Sequence, residues 1–290
     1  MSASSEDLHQ LLAVVIDINP HQLLFARQPG SFSQLMNSVM SLMNQHLMLN
    51  PTNKVALIAA HATGCSYLYP DPTGGGELLR QQDGQYEEFY QVETVIKKRV
   101  ETVLSNDRDG SQASSESLLS GALSMALAYI NKQQVGRASN EKLCPRLFVM
   151  SATGDSAAQY MNYMNVFFTA QKLNIPLDTC MILQDSSLLQ QGSDITGGLY
   201  LKVDQLSGLL QYITWLFLPG PKTRKMLGAP PPVRVDYRAA CFCHRQLVDV
   251  GFVCSVCLSI FCRFNPICTT CHSTFITPGK PPIKKKKKNE

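Results

Sequence analysis

The chain has 290 residues, 44% hydrophobic and 17% charged, which is enough for one full-sized core and a small additional module. Its net charge of +4 is local, because five positive charges lie in Lys284–Lys288 and the remainder sums to about −1, which excludes a general nucleic-acid-binding surface. No apolar run approaches the ~20 residues of a membrane span, and the polar opening MSASSEDLHQ does not read as a secretion signal, so an intracellular protein with reduced thiols is expected.

Leu11–Asp17 (LLAVVID) is a short, β-branched run ending in an acid. It suits a strand buried on both faces of a parallel sheet. The spacing of Leu35, Val39, Leu42, Met43 and Leu47 predicts a helix over 33–49, with Ser31 or Ser33 as its cap. Lys54–Ala60 is a second strand, and Cys65–Tyr69 a third that pairs with it. Residues 70–84 are rich in proline and glycine and read as a loop. Val92, Ile96, Val100 and Val103 mark a second amphipathic helix, and the polar stretch 106–115 follows. Leu118–Ile130 is a strongly apolar helix, and Arg146–Met150 a central strand. A helix over 157–173 carries Met161, Met164, Phe167 and Phe168, which we read as a core-facing stripe. Leu177–Leu183 is another strand, and Ile195–Val203 a glycine turn with the last strand. Leu206–Leu218, with the single tryptophan Trp215, closes the body as a helix.

This alternation implies an α/β fold, a mostly parallel sheet with helices on both faces. The loops at the carboxyl ends of its strands form the functional rim. The expected division is a body over 1–220, a linker over 221–238 stiffened by Pro230–Pro232, a small zinc-binding module over 239–276 and a basic tail over 277–290. The tail is either solvated or an import signal. No internal repeat is evident in the sequence.

Ten cysteines are unevenly placed. Cys65, Cys144 and Cys180 read as buried core thiols. The other seven lie between Cys241 and Cys271, and in a reduced compartment such clustering points to metal rather than disulfides. Cys254-Ser-Val-Cys257 and Cys268-Thr-Thr-Cys271 are two C-x2-C pairs, which together complete a tetrahedral, closed Zn2+ site. Cys241, Cys243, His244 and Cys262 are either a second, interleaved site in a RING-like cross-brace or buried thiols around the first ion. His272 is expected to be exposed. A closed site leaves no position for a reacting water. Leu258, Ile260, Phe261, Phe264, Ile267 and Phe275 exceed what so small a core can bury, so the module reads as a docking element. With only Arg245 and Arg263 as its cations, it is a poor DNA reader.

At the rim, Asp17 ends the first strand in VVIDINP, Asp155 follows the central strand in SATGDSAAQY, and DITGG precedes the last strand. Together these resemble a von Willebrand factor A domain. In metal-binding members of that family the first strand ends in D-x-S-x-S. Here Asn19 and His21 stand at the serine positions, with Ser115 or Ser117 left to supply a hydroxyl. We therefore read Asp17 and Asp155 as a degenerate rim site that holds helix starts and loop amides, not Mg2+. No catalytic triad or phosphate-binding glycine loop is present.

The von Willebrand A-like body, the linker running into DYRAACFCHR, the CSVCLSIFC…CTTC module and the lysine tail occur in one order. With QYMNYMNVFFTAQK and DITGGLYLKV, they resemble the smaller von Willebrand A-like core subunits of general transcription factor IIH. That resemblance implies a nuclear, non-enzymatic scaffold acting in RNA polymerase II initiation and nucleotide excision repair. It implies as partners a larger von Willebrand A-like/RING-like subunit and the helicase/translocase subunits, and zinc at Cys254, Cys257, Cys268 and Cys271. It leaves three rivals: a metal-dependent adhesion domain, a RING-type ubiquitin ligase and a DNA-binding zinc protein.

Overall fold

The computed structural model describes residues 9–20, 22, 24–25, 30–61, 63–70, 87–108, 116–135, 143–155, 159–228, 234–244, 246–257 and 259–275. The expected loop over 71–84, the polar stretch from 109, the prolines Pro230–Pro232 and the lysine tail lie outside these residues. The chain divides into two compact units, Met1–Asp236 and Tyr237–Glu290.

In the first unit a six-stranded sheet has the order β3-β2-β1-β4-β5-β6. The strands are β1 (His9–Asp17), β2 (Lys54–Ala60), β3 (Cys65–Tyr69), β4 (Leu143–Ser151), β5 (Leu177–Ile182) and β6 (Tyr200–Val203). All neighbours pair in parallel except the edge strand β3, which is antiparallel to β2. The helices are α1 (Ser31–Leu49), α2 (Glu87–Arg108), α3 (Leu119–Val135), α4 (Tyr160–Lys172) and α5 (Ser187–Thr196). A continuous helical stretch then passes through a 3-10 turn, α6 (Leu209–Tyr212) and a π turn at Ile213–Phe217, and α7 (Pro221–Arg224) follows.

Period-two alternation in β1 splits the core. Leu12, Val14 and Ile16 pack with α1, α2 and the stretch at Leu209–Phe217. Leu11, Ala13 and Val15 pack with α3, α4 and α5. A strand with helices on both sides has no polar face, which is why LLAVVI reads as an unbroken apolar run.

Several expectations are corrected. Serine does not cap α1. The helix starts at Gly30 in a left-handed conformation, φ 87°, and the Ser31 hydroxyl donates instead to the Leu24 carbonyl. That φ suits glycine because a β-carbon would be strained there. The stripe on α4 is only partly in the core: Phe167 is buried, whereas Met161 and Phe168 are exposed. Its buried face runs through Tyr163, Val166, Phe167 and Ala170. Of the three scattered thiols only Cys180 is buried, while Cys65 and Cys144 are partly exposed. Helix α5 is absent from the expected element list. Its sequence, SLLQQGSDIT, is poor in helix formers. Its start is capped by Ser186, whose hydroxyl accepts from the Leu189 amide at 3.1 Å, and Gly192 lies so close to the Phe167 ring that a β-carbon there would overlap it.

One buried and one half-buried cation tie the end of the body to the sheet. Arg146 on β4 donates to the carbonyls of Phe217 (3.0 Å), Leu218 (3.1 Å) and Pro219 (2.8 Å). It thereby satisfies acceptors that a helix end leaves without partners. Arg224 on α7 forks onto both oxygens of the buried Asp178, at 2.7 and 2.5 Å. The first turn after residue 220 is therefore pinned to β5 by a bidentate ion pair.

Candidate metal centre and the rim of the sheet

The second unit is built from short strands: β7 (Ala239–Ala240), β8 (Leu247–Val248), β9 (Phe252–Val253) and β10 (Ile260–Phe261). Cys254, Cys257, Cys268 and Cys271 bring their sulfurs within 4.8 Å of one another. The Cys254–Cys271 and Cys257–Cys268 separations are 3.7 and 3.6 Å. A disulfide would need about 2.05 Å. Four thiolates about 2.3 Å from a tetrahedral ion stand about 3.8 Å apart, so these residues fit such an ion without rearrangement. Cys254 and Cys268 are buried beside Phe261, and the half-buried Phe242 and Phe275 pack against them. Hydrogen bonds from Ser259 hold the Cys257 thiol down at about 6, while the neighbouring Cys254 thiol is raised to about 11, so the four sulfurs share their protons unevenly.

Cys241, Cys243, His244 and Cys262 form a second group within the same 4.8 Å limit. Cys243 and Cys262 lie 3.4 Å apart, sulfur to sulfur, and His244 Nδ1 lies 3.2 Å from Cys262 Sγ. Around the two groups Val250, Phe252, Val253, Val256, Phe264 and Ile267 are exposed, and Phe261 is buried. Ile260 and Phe275 are half-buried and His272 is exposed; Leu258 and Arg245 lie outside the described residues.

At the rim, the strand order reverses between β1 and β4, where α/β sheets open a crevice at the strand ends. Asp17 sits there, buried, with its carboxylate fully engaged. It accepts from Ser117 Oγ (2.7 Å), Ser151 Oγ (3.0 Å), Thr153 Oγ1 (2.5 Å) and the Asn19 amide (3.2 Å). Burial pushes its pKa above the ordinary 3.8 despite these four donors. Gln159 closes the cluster, donating to the Ser117 carbonyl at 2.7 Å and accepting from Ser120 Oγ at 2.9 Å. The space left is about the size of one water.

Asp155 faces another task. It accepts from both hydroxyls of Ser186 and Ser187 and from the amides of Ser187 (2.8 Å) and Leu188 (3.2 Å). It thus caps the start of α5, where a negative charge also suits the helix dipole. Ser115 and His21 lie outside the described residues.

The family model for transcription factor Tfb4 matches residues 9–272. This chain belongs to the Tfb4 family. It is 38% identical over 279 residues to the general transcription and DNA repair factor IIH subunit tfb4 of Schizosaccharomyces pombe, covering 95% of this chain and 92% of that relative. The subunit TFB4 of Arabidopsis thaliana is likewise 38% identical, over 93% of this chain and 90% of its own length. The crystal structure of the TFIIH p34 N-terminal domain superposes with a TM-score of 0.61 at 29% identity, covering 73% of this chain and 99% of that one. The body shares the fold of that p34 domain, and the clustered cysteines beyond it are consistent with a zinc module.

Ser117 was in view as a hydroxyl donor, and the structure places it on Asp17. Sequence reading missed Ser151, Thr153 and Gln159. The first two are carried by the SAT that ends β4, a strand end beside Asp17, and that adjacency was the available signal. Gln159 has no local signature, because its partners come from the start of α3.

Replacing Asp17 by alanine is expected to leave three hydroxyls and one amide without their acceptor. The cost is about 2–4 kcal/mol. Urea denaturation of the full chain would read it, with metal content unchanged.

Proposed function

We propose that this Tfb4-family chain is a non-catalytic scaffold subunit of the factor IIH core, acting in the nucleus in transcription initiation and nucleotide excision repair. Similarity to curated factor IIH subunits along almost the whole chain carries this reading. In it, residues 1–220 are the von Willebrand A-like body, 221–238 the linker and 239–276 the module. Cys254, Cys257, Cys268 and Cys271 hold a structural Zn2+ that shapes the module. The exposed Phe252, Val253, Phe264 and Ile267 then meet other core subunits, the larger von Willebrand A-like/RING-like subunit and the helicase/translocase subunits among them. Asp17 and Asp155 act as structural locks, not as metal ligands. Their oxygens are occupied by hydroxyls and amides, which leaves no ready acid or base.

Affinity purification of the tagged full chain from nuclear extract tests this. The expected result is co-purification of the other core subunits, the helicase/translocase subunits included. A stable assembly without them would refute it. The interleaving of two ligand groups favours a second reading, a RING-like ubiquitin ligase. Ubiquitin transfer by the purified chain, lost in Cys257→Ser, would establish that instead.

A further inference from the structure

The module contains a threefold repeat that residue spacing alone does not announce. Ala240 pairs with Leu247, Val253 with Ile260, and Ile267 with Thr274. Each pair encloses a loop of the same length, and each loop opens on a buried cysteine: Cys241, Cys254 and Cys268. In each, the amide of that cysteine donates to the carbonyl five residues on, Gln246 (2.8 Å), Ser259 (2.9 Å) or Ser273 (2.9 Å). In each, the amide three residues on, of His244, Cys257 or Cys271, turns back to the leading sulfur. This backbone turn aims the side chains at its first and fourth positions toward one point. In the second and third loops those positions are the C-x2-C pairs. In the first they are Cys241 and His244.

We propose that the first loop is a metal knuckle of the same kind, and that Cys241, Cys243, His244 and Cys262 hold a second structural zinc ion. The donor set, three thiolates and an imidazole, is one that tetrahedral zinc takes. Such an ion separates nitrogen from sulfur by about 3.6 Å, so the 3.2 Å between His244 and Cys262 opens by a few tenths of an ångström on binding. Buried thiols around the first ion would be a different arrangement: here Cys243 and His244 are exposed. They group with Cys262, not with the four-cysteine set.

The two sites interleave, because Cys254 follows β9 while Cys262 follows β10. β9 and β10 pair antiparallel, so these ligands leave the ladder at opposite ends. The Phe242 amide donates to the Ile260 carbonyl at 2.8 Å and ties the first knuckle to the same hairpin. One ion at each end thus clamps the hairpin that presents Phe252 and Val253. This inference does not depend on which assembly the chain joins.

Zinc content of the purified full chain, measured by elemental analysis, is the test. Two ions per chain are expected. His244→Ala and Cys262→Ser should each halve the content or abolish it. His244→Cys should restore two and raise the thiolate-to-metal charge-transfer absorption of the cobalt-loaded chain. One ion per chain, kept in Cys262→Ser and lost in Cys268→Ser, overturns the second site and leaves the four-cysteine site standing. Two ions kept in both His244→Ala and Cys262→Ser also overturn it. A chain that binds no zinc refutes both sites.

Discussion

Cys254→Ser is expected to release one zinc ion and unfold the terminal module while the body stays intact. A serine hydroxyl is neutral at pH 7 and a poor ligand for a soft-donor site, so three thiolates remain around an ion that needs four. The module has little else to rely on. Among the described residues its buried hydrophobic cluster is Cys254, Phe261 and Cys268, with four half-buried neighbours, and its strands are two residues long. Zinc-finger peptides take about 10–16 kcal/mol from their ion, which is their folding energy. Limited proteolysis should cut the variant within residues 239–276 and spare the body, and co-purification of the other core subunits should weaken. Protease resistance and assembly equal to the unsubstituted chain would show that the ion is not what holds this unit.

Arg146→Ala is expected to produce the largest loss in the body, about 4–5 kcal/mol. Arg146 is 1% exposed, and its guanidinium reaches three consecutive carbonyls at the end of the Ile213–Phe217 turn. Alanine takes this donor from the Leu218 and Pro219 carbonyls, leaves the Phe217 carbonyl only its contact with Arg224 at 3.2 Å, and opens a cavity between β4 and the last helical stretch. For a body of this size the midpoint of thermal unfolding should fall by about 10–20 °C. Arg146→Lys should recover part of the loss, because one ammonium cannot span the three carbonyls as a planar fork does. A fall of only one or two degrees in Arg146→Ala would mean the carbonyls find water. The same cation, second to burial, holds His46 down to about 4, so that imidazole stays neutral in the core near neutral pH.

The central strands were legible because they are buried on both faces, and Lys54–Ala60 coincides with an observed strand. Cys65–Tyr69 also coincides, although it is a half-buried edge strand. The long helices were legible from their apolar spacing, to within a few residues at their ends. Helix α5 was not, since Gly192, Ser193, Asp194 and Thr196 speak locally against it. Only contact with α4 makes a missing side chain an advantage there. The closing helix was legible as an element, but its shift to π geometry at Ile213–Phe217 was not. Arg146 in the apolar run RLFVM gave no hint that it would face three carbonyls some seventy residues later.

The candidate site divides in the same way. The two C-x2-C pairs are a local signal, since one tight turn aims two thiolates at one point, and the sequence by itself determined that grouping. It also determined the family, through motifs spread along the whole chain. Only the tertiary structure decided that Cys241 and His244 occupy the same turn as those pairs and that Cys262 comes back to join them. Only it showed that Asp17 is surrounded by hydroxyls from β4 and the start of α3. The physical reason is chain distance. A turn is set by neighbours a few residues apart, whereas a shared ion or a filled carboxylate depends on where the packed sheet and hairpins bring distant residues.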